Sequence, residues 1–151
     1  MKIASLIHRD VTTCSVHDQL DHAAKLMWDR DIGCLPVVDD QGQISGIITD
    51  RDICMAAYTR GVPLQAIPVS EVMSQHVFSC SPADDLHQVE RAMSRNQIRR
   101  IPVIDDQGHP IGMVSLNDLA RAAAIGKVPS VEIASTLAAV TAPRPLSKTF
   151  T

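Results

Sequence analysis

The sequence predicts an α+β fold made of two β-α-β-β-α units related by a pseudo-two-fold axis. Residues 11–54 align without a gap on residues 77–120, a shift of 66, and about a third of the positions are identical. Each copy contains two short apolar runs separated by a turn, which is typical of a β-hairpin. Each copy also ends in a glycine, two apolar residues, a hydroxyl residue and, three positions later, an aspartate. Two such copies indicate a duplicated unit, not a solenoid.

The first strand and first helix of each unit are predicted from local signals. Residues 11–14 and 77–80 are short β-rich runs. The Ser-x-x-Asp sequences at 15–18 and 81–84 predict helix starts, the second with Pro82 at the first helical position. Apolar residues then recur at helical spacing, which indicates a face buried in the core. These residues are Leu20, Ala23, Ala24, Met27, Leu86, Val89 and Met93.

The hairpin of each unit follows. Residues 34–38 and 100–104 are short apolar strands. Because proline cannot donate to a strand ladder, we expect Pro36 and Pro102 at a strand edge or start. The Asp-Asp-Gln-Gly turns at 39–42 and 105–108 use glycine for a positive φ. Their paired aspartates could also suggest a metal site, but no further ligands are spaced nearby, so the sequence favours turns and no metal.

Three segments are expected along the chain: a first repeat with its lead-in and connector over 1–66, a second repeat over 67–126, and a C-terminal helix and tail over 127–151. Residues 55–68 are the predicted connector. A short helix at 69–73 corresponds to residues 3–7. One further helix is predicted at 131–140, followed from Ala142 by a tail that is either mobile or docked on a partner.

Composition limits the class of protein. A net charge of -3 and a pI near 6.0 give no broad basic surface for nucleic acid or acidic membranes. The start contains no signal-peptide core, and no apolar run approaches the ~20 residues of a membrane span. The sequence therefore predicts a cytoplasmic protein without membrane contact. The four cysteines show no CxxC pair, which favours free, mostly buried thiols over a zinc or redox site.

The Thr49–Asp52 and Ser115–Asp118 motifs allow two interpretations. In a capping box, the hydroxyl accepts from a free amide of the first turn and the aspartate accepts from the amide of the cap residue. Alternatively, the positive end of the helix attracts a phosphate while the carboxylate accepts hydrogen bonds from a ribose diol. The sequence alone leaves both open.

With these features in order twice, the chain resembles a tandem pair of CBS domains, called a Bateman module, and is most similar to small stand-alone bacterial CBS-pair proteins. The resemblance covers residues 3–124. It implies a non-catalytic regulatory module that binds AMP, ADP, ATP, NAD or S-adenosylmethionine between the repeats, requires no cofactor, forms a homodimer and signals to an unknown effector protein.

The resemblance also implies two clefts, each completed by the sister repeat, with the two motif aspartates as ribose acceptors. The main cleft would comprise Ile47, Thr49, Arg51, Asp52, Val77, Phe78, Ile98, Arg99, Arg100 and Pro102. The second cleft would comprise Val11, Thr12, Ile32, Gly33, Cys34, Pro36, Met113, Ser115, Asn117 and Asp118.

Charge separates the two predicted clefts. The main cleft contains Arg51, Arg99 and Arg100, which suit phosphate, whereas the equivalents Asn117, Gly33 and Cys34 are uncharged. We therefore expect the main cleft to bind the phosphorylated ligand and the second to be weaker, empty or occupied by an uncharged adenosyl group. Trp28 is expected in the core or on a dimer surface.

Three other classes are weighed against a nucleotide sensor. A ligand-free dimerising scaffold would use the two motifs as caps only. An enzyme is not expected, because the sequence lacks a catalytic triad order, HExxH, a P-loop and a Rossmann glycine fingerprint. A nucleic-acid binder is less favoured than the scaffold and would use Arg91, Arg95, Arg99 and Arg100.

Overall fold

The computed structural model describes residues 1–145 and shows two similar α/β units. The first unit consists of β1 (Cys14–Ser15), α1 (Leu20–Arg30), β2 (Cys34–Val38), β3 (Ile44–Thr49) and α2 (Asp50–Arg60). Two short helical segments follow, a 3₁₀ turn (Leu64–Ala66) and α3 (Val69–Val72). The second unit consists of α4 (Leu86–Asn96), β4 (Arg100–Ile104), β5 (Pro110–Ser115) and α5 (Leu116–Ala124). The predicted α+β class is confirmed.

A 3₁₀ turn (Ile3–Ser5) precedes the first unit, and α6 (Ser130–Thr141) follows the second. The predicted C-terminal helix is therefore confirmed. Residues 146–151 of the predicted tail lie outside the described residues. Within residues 1–145, no helix has both the length and the apolar character needed to cross a membrane.

The order β-α-β-β-α is confirmed in the first unit, where β1 pairs parallel with β2 and β2 pairs antiparallel with β3. In the second unit β4 and β5 form the hairpin. The strand predicted at 77–80 is wrong, because that segment contributes a single parallel bridge between Cys80 and Val103. Its backbone meets β4 at one point only, which is too short for a strand.

The prediction is wrong for Pro36, which lies in the middle of β2, the central strand of its sheet, whereas Pro102 lies in β4, an edge strand as expected. Pro102 faces Met113 across the hairpin, but Met113 exchanges its backbone hydrogen bonds with His8 on its other side. The Pro102 carbonyl accepts from the Cys80 amide at 3.0 Å. The N–H that Pro102 lacks would therefore have no acceptor on β5. Pro36 has the same arrangement, because the opposite residue, Ile47, exchanges its backbone hydrogen bonds with Ser74.

Both helix starts predicted at the Ser-x-x-Asp sequences are wrong. Asp18 and Asp84 accept hydrogen bonds from the backbone amides of Ser15 and Ser81 at 2.7 and 2.8 Å, which closes a turn before each helix. Pro82 lies in the turn that precedes α4 and not in the helix itself. The predicted connector is shorter than expected, because α2 continues to Arg60 and only then ends at a glycine.

The lead-in of each unit packs on the other unit. Ile3 is fully buried in the core formed by α4, β4, β5, α5 and α6, whereas Ile67 and Val69 are fully buried in the core of the first unit. A Cβ on Gly112 would lie 2.8 Å from the His8 carbonyl oxygen, so the crossing chain requires glycine there. These crossings join the two units.

The predicted hairpin turns are confirmed, with positive φ at Gly42 and Gly108. The turns also contact each other. The Ile44 amide donates to the Gly108 carbonyl at 3.0 Å, and His109 Nε2 lies 3.0 Å from the Gln41 carbonyl oxygen. These bonds join the two hairpins at their tips.

The cysteines are free thiols, and three of them are buried. Burial raises the pKa of Cys14 to about 12, of Cys34 to about 11 and of Cys80 to about 12. For Cys34 the nearby Arg100 opposes this effect, while Asp52 and Asp50 add to it. Cys54 is exposed on α2.

We therefore expect one fast-reacting thiol when the native protein is treated with a disulfide reagent at pH 8. Cys54 should react within minutes, since it is accessible, and the three buried thiols should react only after unfolding. Absorbance of the released thiolate measures the count. A Cys54→Ser variant should lose the fast phase, and rapid reaction of more than one thiol would contradict the buried positions.

Candidate functional site

The hydroxyl and carboxylate of each motif lie at the start of a helix that directly follows a strand. Thr49 Oγ1 accepts from the Asp52 amide at 3.2 Å, and Asp52 Oδ2 accepts from the Thr49 amide at 3.0 Å. Ser115 and Asp118 form the same pair of bonds at 3.2 and 2.7 Å. Both motifs are therefore capping boxes, which leaves one oxygen of each carboxylate for other partners.

That second oxygen differs between the two motifs. Asp118 Oδ1 lies 2.8 Å from His8 Nε2 and also accepts from Arg121, and the side chain is 8% exposed. Asp52 is half-buried, and within residues 1–145 its Oδ1 accepts no hydrogen bond. Among residues 1–145, the second oxygen of Asp52 is therefore without a donor, whereas that of Asp118 is already bonded to His8 and Arg121.

A cleft of about 610 Å³, here called the Asp52 cleft, opens beside the start of α2. Its lining contains six of the ten residues predicted for the main cleft: Ile47, Thr49, Arg51, Ile98, Arg99 and Arg100. Asp52 is absent from this lining, and one oxygen of its carboxylate is bonded to the cap. Pro102 is buried in β4. Val77 and Phe78 also lie outside, Phe78 with its ring edge-on to His76 at 4.6 Å.

A second cleft of about 710 Å³, the Asp118 cleft, opens beside the start of α5. Its lining contains most of the residues predicted for the second cleft: Val11, Thr12, Ile32, Gly33, Cys34, Met113, Ser115 and Asp118. Pro36 is not among them, since it is buried in β2, and Asn117 is absent from the lining. Each cleft takes residues from both units.

The two repeated units that form these clefts also match a known protein family in sequence. The family model described as "CBS domain" matches residues 3–58 and 69–125. The chain belongs to the CBS domain family. The predicted tandem CBS pair is confirmed.

Individual relatives agree with this assignment. CBS domain-containing protein YhcV of Bacillus subtilis is 41% identical over 110 residues, which cover 73% of this chain and 76% of that protein. The crystal structure of the CBS domain pair of protein MJ0100, in complex with 5'-methylthioadenosine and S-adenosyl-L-methionine, superposes with a TM-score of 0.70 at 26% identity. The match covers 80% of this chain and 98% of that one.

One of the relatives is a larger protein. A homoserine O-acetyltransferase of Methanosalsum zhilinae is 30% identical over 117 residues, which cover 78% of this chain but 23% of that enzyme. The likeness to this enzyme is therefore confined to a minor part of its length.

Several lining residues were missed from the sequence. The Asp52 cleft of the CBS pair is also lined by Asp50, Gln97 and the end of the C-terminal helix and its continuation, Val140, Thr141, Ala142 and Arg144. The Gln97 amide nitrogen donates to the Ala142 carbonyl at 2.8 Å, and Arg144 donates to the Gln97 carbonyl at 3.0 Å. The repeat contains no counterpart of α6, so its alignment carried no signal for this wall.

Lining charge still distinguishes the two CBS clefts, though not in the way expected. The Asp118 cleft is not uncharged, since it is lined by three arginines, Arg9, Arg30 and Arg100, and by His8. Three aspartates, Asp10, Asp31 and Asp118, offset them. Among the described residues, the Asp52 cleft is lined by four arginines and one aspartate. Arg100 and Cys34 line both.

Proposed function

We propose that this CBS pair is a non-catalytic regulatory module that binds an adenine nucleotide, AMP, ADP, ATP or NAD, in the Asp52 cleft. The observation that carries the proposal is the group of four arginines around the start of α2: Arg51, Arg99, Arg100 and Arg144. Guanidinium groups match phosphate oxygens with paired hydrogen bonds. The positive end of the α2 dipole adds to their attraction for an anion.

The remaining parts of the nucleotide have matching surfaces. Ile47 and Ile98 come from different repeats and give the cleft aliphatic walls, between which we place the adenine. We place the ribose hydroxyls on the unpaired oxygen of Asp52, whose chain neighbours Thr49 and Arg51 line this cleft. That a related CBS pair of known structure binds adenosyl compounds supports this class of ligand.

Signalling follows from the position of the ligand. A nucleotide here contacts both repeats and the end of α6, so it stabilises whichever relative arrangement fits it. The shift between the two arrangements is set by the difference in the affinity of the nucleotide for them. We propose that an effector protein binds one arrangement in preference to the other.

The module is also proposed to be a homodimer whose contact includes Trp28 and Tyr58. These side chains are 87% and 83% exposed on the adjacent helices α1 and α2.

A thermal-shift series with adenosine, AMP, ATP, NAD and S-adenosylmethionine tests the ligand class. A ligand at 100 times its Kd should stabilise the folded state by ~2.7 kcal/mol. We expect AMP or a larger phosphorylated ligand to exceed adenosine. Arg100→Ala should weaken AMP by roughly tenfold or more, since a hydrogen bond to a charged group contributes about 1.5–3 kcal/mol, and should change adenosine little.

Arg95→Ala is the matched control, because Arg95 lies on the preceding helix and outside both clefts. It should bind AMP like the unaltered protein. No shift with any of the five compounds would remove the sensor and leave the dimerising scaffold. Equal loss of AMP and adenosine in Arg100→Ala would show that Arg100 does not contact phosphate.

A further inference from the structure

Three potential metal ligands meet where α6 packs on α4. His87 and Glu90 lie one turn apart on α4, and Glu132 lies in the first turn of α6. One ligand atom of each lies within 4.8 Å of the other two. His87 Nδ1 is 3.3 Å from Glu90 Oε2 and 3.7 Å from Glu132 Oε2. An imidazole and two carboxylates therefore converge on one point.

The two carboxylates are poorly satisfied by the protein itself. The Glu90 side chain is 8% exposed, and its Oε1 is buried without a hydrogen-bond partner among residues 1–145. Glu132 Oε2 is likewise buried and without a hydrogen bond in this part of the chain. Buried polar atoms in folded proteins are nearly always paired, and an unpaired one costs free energy. These atoms therefore need a partner.

The neighbouring charges do not supply that partner. Arg91 and Arg95 line the same depression, yet within residues 1–145 neither forms an ion pair with Glu90 or Glu132. The nearby cations therefore leave Glu90 Oε1 and Glu132 Oε2 without a hydrogen bond within residues 1–145.

We propose that His87, Glu90 and Glu132 bind a divalent transition metal, with zinc as the preferred ion. Zinc takes imidazole nitrogen and carboxylate oxygen at 2.0–2.2 Å, so tetrahedral ligands lie ~3.3 Å apart. The observed separations of 3.3 and 3.7 Å need little adjustment. Calcium and magnesium favour oxygen ligands and a larger coordination number, which this set does not offer. Water would complete the coordination.

Such a site would clamp the C-terminal helix to the second repeat. Glu132 begins α6, and the far end of the same helix lines the Asp52 cleft. A bound metal would hold this wall in place whether or not a nucleotide is present. The sequence spacing showed no sign of the site, because Glu132 follows Glu90 by 42 residues and lies outside the repeat.

Zinc titration of the full chain tests the proposal. Protein carrying Cys54→Ser, which removes the exposed thiol, is stripped with a chelator and titrated with zinc chloride in a calorimeter. We expect one saturable site and a zinc-dependent rise in melting temperature, without a comparable effect of magnesium. Because loss of even an outer-shell partner weakens metal binding 10–100-fold, His87→Ala and Glu132→Gln should each weaken zinc at least ~100-fold.

Two controls keep the result interpretable. His17→Ala removes an exposed histidine that pairs with Asp40 and is not one of the proposed ligands. This variant should bind zinc like the parent. Glu132→Gln without zinc should melt no lower than the parent, since it removes a like charge beside Glu90. Absence of a saturable site in the parent, or unchanged affinity in both ligand variants, would overturn the proposal.

Discussion

Replacing Ile3 with alanine should lower the free energy of unfolding by about 2–5 kcal/mol, although the residue is third in the chain. Ile3 is fully buried in the core of the second repeat. Its amide donates to the Asp84 carbonyl at 3.0 Å, which fixes the lead-in beside α4. Truncation leaves a cavity that the surrounding strands and helices cannot easily fill. Urea unfolding followed by circular dichroism measures the loss.

Two further variants serve as a parallel test and as a control. Val69→Ala removes the residue that the lead-in of the second repeat buries in the first core, and it should also destabilise the protein. Ile125→Ala alters a side chain that is 69% exposed and should change stability by less than ~0.5 kcal/mol. An Ile3→Ala protein as stable as Ile125→Ala would show that the N-terminal crossing does not contribute to the fold.

The internal repeat explains why most elements could be predicted. An alignment of the chain on itself identifies equivalent segments, and local hydrophobic spacing then assigns helix or strand. It cannot show on which unit a short lead-in packs. Ile3 and Val69 have the same pattern of neighbours in sequence, and each could bury itself against either core. Long-range contacts decide it, such as the Ile3–Asp84 hydrogen bond and the crossing of His8 at Gly112, and these join residues about 80 to 100 positions apart.

The wrong strand prediction at 77–80 and the wrong helix starts at the Ser-x-x-Asp sequences both come from reading local composition alone. The segment at 77–80 has a β-rich composition, but a strand exists only where a neighbour pairs with it. The Ser-x-x-Asp sequence at 15–18 satisfies its backbone locally and so closes a turn instead of opening a helix. Composition does not distinguish these outcomes: strand pairing decides the first, and a local hydrogen bond from the backbone to Asp18 decides the second.

The candidate site was predicted best where it repeats. Residues on the two motif strands line the clefts because equivalent positions face equivalent spaces. The residues missed are those without a counterpart, such as His8, which reaches Asp118 from the crossing lead-in, and Arg144, which follows α6. Likewise, the second cleft was expected to be uncharged because the prediction compared only equivalent positions of the two repeats. It therefore left out Arg9 and Arg30, which line that cleft.

Asp52→Ala should abolish the nucleotide-induced thermal shift, while Asp118→Ala should leave most of it. Two charge-assisted hydrogen bonds from a ribose to Asp52, each about 1.5–3 kcal/mol, correspond to more than ~100-fold in affinity. Asp118 is committed to His8 and Arg121, so a ribose gains less there. Isothermal titration with the nucleotide that gives the largest shift measures both losses.

Because Asp52 also caps α2, a matched variant must separate ligand contact from helix stability. Asp52→Asn keeps an oxygen that can accept from the Thr49 amide but removes the charge that holds the ribose. It should melt close to the unaltered protein and still bind poorly. If Asp52→Asn binds normally, the carboxylate acts as a cap alone. If instead Asp118→Ala loses as much affinity as Asp52→Ala, both clefts bind nucleotide and the arginines around α2 do not set the preference.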